Sequence, residues 1–548
     1  MVESPTRTLR LDNVTLALAR EADDPQALRR AIAERLGLEL VDILDVEPLK
    51  RSIDARKRPR LVYSLHVTVP RRGRYAGTLQ QGVQEAIPTA TMSPRHLPPA
   101  AQRARVVVIG AGPAGLFAAL RLSRAGLTPV LVERGKPVEA RARDVSRLMH
   151  YGELQIESNL CFGEGGAGTW SDGKLTTRIG APQVRHVLET LVEMGAPDRI
   201  LVDGKPHLGT DRLILLLKAF RAELERIGAT LRFSTRVERL QLKDDGAARR
   251  VAGVVLDDGE VIDADRVVLA IGHSSHGLYR RLLEQAVHFV PKGFAVGFRV
   301  EHPQASINAM QYGVHAEHPL LPAADYRITA NLGQGEAQRG VYSFCMCPGG
   351  QVVPTPTDPE GVVVNGMSHA ARSGPFANSA LVVTVAPEDF GGADVLAGLH
   401  FQEMAERRAG ALGGGQFRAP AQRLGDYLGG RRAGELPRSS YTPGLTPAEL
   451  ALCYPAFVND ALRAALKRWE RSMPSFVTND ATLIGVETRT SAPVQILRGE
   501  DLQSVSTPGL YPCGEGAGYG GGIVSAAVDG LRIADQILDE LGATTDAS

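Results

Sequence analysis

Arg105-Val-Val-Val-Ile-Gly-Ala-Gly-Pro-Ala-Gly115, followed by an apolar helical pattern and closed by Pro129-Val-Leu-Val-Glu133, decides the fold of this chain. The stretch reads as strand, tight turn, helix, strand and acid, the order of a dinucleotide-binding βαβ unit. Gly110 permits the turn, Gly112 lets the backbone approach a pyrophosphate, and Gly115 allows the helix to pack closely on its strand. The helix N-terminus at Pro113 and Ala114 offers unpaired N–H groups to the anion. Glu133, about 20 residues on, is placed for ribose hydroxyls, and Arg134 and Arg141 are expected as further cofactor contacts. The competing reading is a glycine-rich turn that binds nothing, which would not need that strand, helix and carboxylate at those offsets.

The far end of the chain narrows the choice of dinucleotide. Gly509-Leu-Tyr-Pro-Cys-Gly-Glu515-Gly-Ala-Gly-Tyr-Gly-Gly-Gly-Ile523 reads as a strand, a turn and a helix start. In flavoproteins with two-part sites an acid after such a strand binds the ribityl chain, so the expected cofactor is FAD and Glu515 is that acid. Gly514, Gly521, Gly522 and Ile523 complete the half-site, with the positive end of the helix toward the flavin ring. An NAD enzyme needs no such second half. Between the two lies Val255 to Ser274, where Asp257-Asp-Gly marks a hairpin leading into a buried strand that ends at Gly272, beside the cofactor.

Length and charge fit a large intracellular protein. The 548 residues allow three or four domains at about 150 residues each. Lys plus Arg at 62 nearly balance Asp plus Glu at 61, so the whole chain is not built to coat a polyanion. Five cysteines without a secreted spacing and a polar start without an apolar h-region point to the cytoplasm. No membrane span is expected, because the most apolar window is broken by Gly and Pro.

Residues 1–75 read as a small α+β module with a strand over Leu9–Leu18, a helix over Asp24–Leu38 and strands at Val41–Val46 and Leu61–Val69. Its basic cluster is Lys50, Arg51, Arg56, Lys57, Arg58, Arg60, Arg71, Arg72 and Arg74. A solvated hairpin or a dock onto the main body is favoured over a nucleic-acid surface, because no aromatics interleave the charges. Residues 76–102 read as a linker. Residues 103–284 form the first part of the cofactor domain, with a helical insertion at about 186–228. Residues 285–495 form a substrate domain and 496–548 the second part of the cofactor domain.

Six further pieces carry a resemblance that covers nearly the whole chain: Phe162-Gly-Glu-Gly-Gly-Ala-Gly-Thr-Trp-Ser-Asp-Gly-Lys174, Lys205 to Asp211, Ala270 to Ser274, Tyr342-Ser-Phe-Cys-Met-Cys-Pro-Gly-Gly350, Val364 to Ser368 and Glu487-Thr-Arg-Thr-Ser491. In this order the chain resembles a bacterial group of FAD-dependent dehydrogenases within the glutathione-reductase-like flavoprotein superfamily. The resemblance implies FAD, a redox activity, and an α/β fold with a glutathione-reductase-like Rossmann domain, an inserted α+β substrate domain and the small N-terminal module. It supplies no substrate. After Gly272-His-Ser274 the group resembles Ala-Arg-Asp, whereas this chain has Ser275-His-Gly277, which puts any role of an acid there in doubt.

The loop Gly163–Gly168 is expected against the cofactor, with Gly165, Gly166, Ala167 and Thr169 as contacts. Glu164 and Lys174 are candidates for substrate contact, and Arg489 for a bidentate clamp on a substrate carboxylate. His207 and His369 are weighed as proton carriers against ordinary structural roles. Cys345 and Cys347, two apart in a strand, should share a face; non-shuttling buried thiols are favoured over a redox pair, because a disulfide there strains the strand. No metal site is expected. Gly410, Gly413, Gly414 and Gly415 suggest a loop.

No second GxGxxG with its strand and acid follows, so NAD(P)H would act only as a transient donor. The expected function is therefore an oxidoreductase passing a hydride or electron pair between flavin N5 and a small organic substrate. Two alternatives stand beside it: a flavoprotein brought to RNA or another anionic macromolecule by its basic module, and a C=C reductase resembling the geranylgeranyl reductases. The oligomeric state is not legible.

Overall fold

The computed structural model describes residues 5–545 other than 19–24, 56–58, 72–82, 87–91, 245, 247–248, 334–337 and 392–393. Its central sheet has five parallel strands in the order Leu510–Pro512, Arg266–Leu269, Val106–Ile109, Val130–Val132 and Thr230–Arg232. All four residues of Val106–Ile109 are buried, as befits a parallel strand covered on both faces. Val106 and Val108 join the core under the helices Pro113–Arg124, Thr210–Arg226 and Ile523–Glu540. Val107 and Ile109 point the other way, toward the antiparallel meander Val237–Asp244, Arg249–Leu256 and Val261–Asp263, as period-two alternation requires.

Two distant segments meet in this sheet. The strand Leu510–Pro512 is separated from Val106–Ile109 by a single neighbour, and the helices that follow them lie side by side. Gly530 makes that contact close, since a Cβ there would fall 2.1 Å from the Ala114 carbonyl oxygen.

A second, mostly antiparallel sheet of eight strands is built from residues between Phe294 and Glu487. In its strand Phe294–Pro303, Val296, Phe298 and Val300 pack under Ala397–Gly413 and Ala456–Ser472. Ala295, Ala380 and Val382 face the other side with Tyr342 and Phe344, and Phe344 reaches the cavity described below. The chain thus forms a mixed α/β fold with a Rossmann-like parallel sheet.

Several elements differ from the sequence reading. The helix Ala397–Gly413 runs through Gly410 and Gly413, where a loop was expected. Added Cβ atoms there would lie 2.0 Å from the Glu360 carbonyl oxygen and 1.9 Å from that of Arg418, so these glycines serve packing. Leu445–Pro447 is a short strand and Leu450–Leu452 a 3-10 turn, and a helix follows at Ala456–Ser472. In the N-terminal module the strand expected at Val41–Val46 is a turn at Leu40–Asp42 followed by a strand at Asp45–Asp54. That strand, Arg60–Pro70, Thr6–Ala17 and Val83–Glu85 form a four-stranded sheet. The last lies in the expected linker, as does Arg95–His96, which pairs with Thr544–Thr545. Strands so short carry no periodic signal.

Within the basic cluster, Arg51 docks on the main body. Its amide donates to the Val202 carbonyl at 2.7 Å and its carbonyl accepts from Gly204 at 2.6 Å, while its guanidinium pairs with Asp203 at 3.4 Å. Arg60 pairs with Asp54. Arg56, Lys57, Arg58, Arg72 and Arg74 lie outside the described residues.

Candidate functional site

A cavity of about 460 Å³ opens at the carboxyl ends of the parallel strands, where open α/β sheets place ligands. Gly112, Pro113 and Glu133 line one end, Glu515, Gly522 and Ile523 the other, and Phe344, Cys345, Asn365 and Thr490 bring the second sheet against it.

At the first end the glycines divide their roles. Gly110, at φ 103°, would place a Cβ 2.3 Å from the Ala270 oxygen, and Gly115 one 1.9 Å from the Gly110 oxygen. These two serve backbone packing. Gly112 caps the helix Pro113–Arg124, and a Cβ there would meet nothing nearer than the Gly166 Cα at 4.0 Å. Space is therefore kept in front of a helix N-terminus. Glu133 is buried and accepts backbone N–H bonds from Ala111, Gly135 and Gly163, each at 2.9 Å. A carboxylate offers about four lone-pair sites, so its remaining capacity faces the cavity. Arg134 lines the cavity, stacks 3.9 Å above the Phe162 ring and pairs with Glu157.

The glycine-rich loop after Phe162 splits into lining and support. Gly166, Ala167 and Gly168 line the cavity. Gly165 and Thr169, expected as cofactor contacts, do not: Gly165 packs against Leu217, and the Thr169 hydroxyl donates to the Glu164 carbonyl at 3.2 Å. Arg141 is likewise a correction. It is fully buried, and its guanidinium donates to the carbonyls of Asn159, Leu160, Glu164 and Gly166, fixing the loop from behind. Burial lowers it to about 10. Glu164 cannot meet a substrate either. It is fully buried, accepts from the Val138 amide at 2.7 Å and pairs with Arg221 at 3.2 Å. Burial pushes its carboxyl up to about 7.

At the other end Glu515 stands in the wall, and its carboxyl is pushed up to about 7 by burial, with the Gly522 amide and Lys292 opposing. Gly521 lies behind it, 3.6 Å from Glu515 Oε1 to an added Cβ. The turn is held by Asp529, which accepts the Gly514 amide at 2.7 Å and pairs with Arg498 at 2.7 Å. The Tyr279 hydroxyl donates to the carbonyls of Gly516 and Gly272, tying the Gly272 turn, which lines the cavity, to the C-terminal one. No motif pointed to Arg498, Asp529 or Tyr279.

On the substrate side the expected free clamp of Arg489 is already engaged. Its fork pairs with Glu406 at 2.8 and 3.0 Å, both side chains buried, and its Nη1 donates to the Ser274 hydroxyl at 3.2 Å. Its edge still lines the cavity together with His273 and Cys161, and burial drives His273 down to about 3, so that imidazole stays neutral. Lys174 lines the cavity, its ammonium on the Met346 carbonyl. His207 donates from Nε2 to the Ala370 carbonyl and His369 is exposed beside Asp211; neither lines the cavity. Cys347 is fully buried, whereas Cys345 lines the cavity. Among the described residues no group of three or more His, Cys, Asp or Glu side chains is placed to hold a metal, and no helix is long and apolar enough to cross a membrane.

Comparison with known proteins adds three matches along the chain. Residues 105–143 match an FAD binding domain, 293–490 match the family described as FAD-dependent protein, C-terminal domain-like, and 9–70 match a domain of unknown function. A Clostridium beijerinckii protein described as uncharacterized is 41% identical over 552 residues, covering 97% of this chain and 99% of that protein. Similar solved structures include CtdE in complex with FAD, 12% identical over 80% of this chain and 88% of that one at a TM-score of 0.29. A geranylgeranyl bacteriochlorophyll reductase-like protein from Thermoplasma acidophilum is 13% identical over 80% and 79% at 0.34. The glycine oxidase from Bacillus cereus is 12% identical over 80% and 96% at 0.30.

Proposed function

The chain belongs to one family with the Clostridium beijerinckii protein and is an FAD-binding flavoprotein; from that premise we propose that it is an oxidoreductase moving a hydride or electron pair between flavin and a small organic substrate. One observation carries this reading: a single cavity joins the Gly112 helix terminus and Glu133 to Glu515 and the Gly522 helix terminus, under a wall from the second sheet. The residues fit the cofactor. Gly112 and Gly166 approach each other closely, a Cβ on Gly166 falling 3.2 Å from the Gly112 Cα, and both leave bare backbone along the cavity they line.

In this reading the arrangement is glutathione-reductase-like, with cofactor segments 103–284 and 496–548 and an inserted substrate domain. The N-terminus of Pro113–Arg124 holds the pyrophosphate, Glu133 the ribose, and Glu515 the ribityl chain. When bound, FAD supplies a two-electron centre at N5. Phe344 and Thr490, in the cavity wall, would exclude water from the bound cofactor, while Lys174 and the exposed edge of Arg489 would orient a polar or anionic group of the substrate. Arg489 keeps that orientation because Glu406 fixes its fork. NAD(P)H would serve as a transient electron donor.

The test is an anaerobic screen that follows the yellow flavin absorbance with NADH, NADPH and metabolite pools added separately. Bleaching by a nicotinamide alone assigns a reductase, and bleaching by a metabolite alone a dehydrogenase. Folded protein that stays colourless after incubation with FAD would overturn the reading.

A further inference from the structure

We propose that Cys345 and Cys347 form a redox-active dithiol that exchanges an electron pair with the bound flavin. The proposal rests on the flavoprotein reading above and adds a second two-electron centre to the same site.

The geometry departs from the regular strand on which the two thiols would be inert neighbours. Phe344 pairs with Ala380 and Cys347 with Asn378, so three steps along one strand answer two along the other. The extra residue makes a β-bulge. Cys345 sits in it at φ 49°, a left-handed conformation that is strained for a non-glycine residue and concentrates at functional positions. At the bulge the chain leaves the regular extended path, and Cys345 lines the cavity wall while Cys347 stays buried. The Cys347 thiol donates to the Cys345 carbonyl at 3.3 Å.

The charges around the pair are unequal. The Lys174 ammonium rests on the carbonyl of the intervening Met346. The Arg299 guanidinium is fully buried, paired to Glu487 at 2.8 Å, and donates to the Cys345 carbonyl at 3.3 Å. The neighbouring Cys347 holds the Cys345 thiol below its ordinary range, with Lys174 and Arg299 adding to it against burial, while Cys347 is held above its own. The surroundings thus favour the thiolate at Cys345 over that at Cys347, the inequality a reactive dithiol uses. Cys345 lines the same cavity as Glu515, close enough for its charge to raise that carboxyl.

The step balances within the site. The Cys345 thiolate and the Cys347 thiol join in an S–S bond; two electrons and the Cys347 proton pass to oxidised flavin, giving its anionic reduced form. The reverse direction cleaves the disulfide.

The test uses the full-length holoprotein, oxidised with diamide, desalted and titrated anaerobically with dithionite. Wild type is expected to take up about two electron pairs per bound FAD, and Cys345→Ser and Cys347→Ser about one each. In the oxidised wild type the peptide spanning 340–350 should resist alkylation at both cysteines and accept it after reduction. Uptake of about one pair by wild type, with both cysteines alkylated after diamide, overturns the proposal. Should the buried Cys347 variant fail to fold, Cys345→Ser at the cavity wall decides alone. A protein without flavin absorbance before titration reports failure of the flavoprotein reading, and the alkylation map then reads the dithiol separately.

Discussion

Glu133 holds three backbone N–H groups from three separate turns, so its role in shaping the site precedes any contact with a ribose. Glu133→Ala strands three buried donors, each costing about 1–3 kcal/mol. It is expected to destabilise the FAD-free protein in a urea titration as well as to abolish flavin retention; an unchanged midpoint would mean that the turns hold without it. Glu515 and Glu164 behave differently, because burial raises both carboxyls from 4.5 to about 7. The native state therefore holds protons that the unfolded chain has released above pH 4.5. The stability these groups contribute is full below that pH and is lost as pH rises through about 7. Thermal unfolding of FAD-free protein should show this fall, and Glu515→Gln should flatten it; a variant with the wild-type slope would count against a buried acid there. The Glu133 position was legible because spacing along one βαβ unit fixes it, whereas the burial of Glu164 was not, since its partner Arg221 is 57 residues away.

At the scale of the element, the turn Gly110–Gly115 separates folding from binding. Gly115→Ala would drive a Cβ to 1.9 Å from the Gly110 oxygen, and is expected to leave no folded protein in the soluble fraction. Gly112→Ala meets no protein atom nearer than 4.0 Å and keeps an ordinary φ of −77°. It should melt like wild type without FAD yet bind FAD at least about tenfold more weakly, a loss near 1.4 kcal/mol. Calorimetry with FAD measures the second effect, and equal affinities would remove the phosphate from this helix end. The helix Ala397–Gly413 teaches the opposite lesson. Its glycines looked like a loop because glycine is costly inside a helix, but Glu360 and Arg418 approach so closely that only glycine fits.

At the scale of the whole molecule, no residue of the N-terminal sheet lines the cavity. Removing residues 1–91, which takes out all four strands of that sheet, should therefore leave flavin content unchanged by absorbance; loss of flavin would show that the module supports the site through Arg51 and Asp203. The βαβ unit, the C-terminal half-site and the FAD they imply were determined by the sequence alone, because each rests on local spacing: a glycine where a turn or a phosphate needs one, an acid at the end of a strand. Tertiary structure alone decided the rest. It gave Arg489 to Glu406, turned Arg141 and Glu164 into supports for a loop, and set Cys345 in a bulge against the cavity. Those roles depend on which distant backbone arrives within a few ångströms of a side chain, and that information lies in the packing of separate elements, not in the order of residues along any one of them.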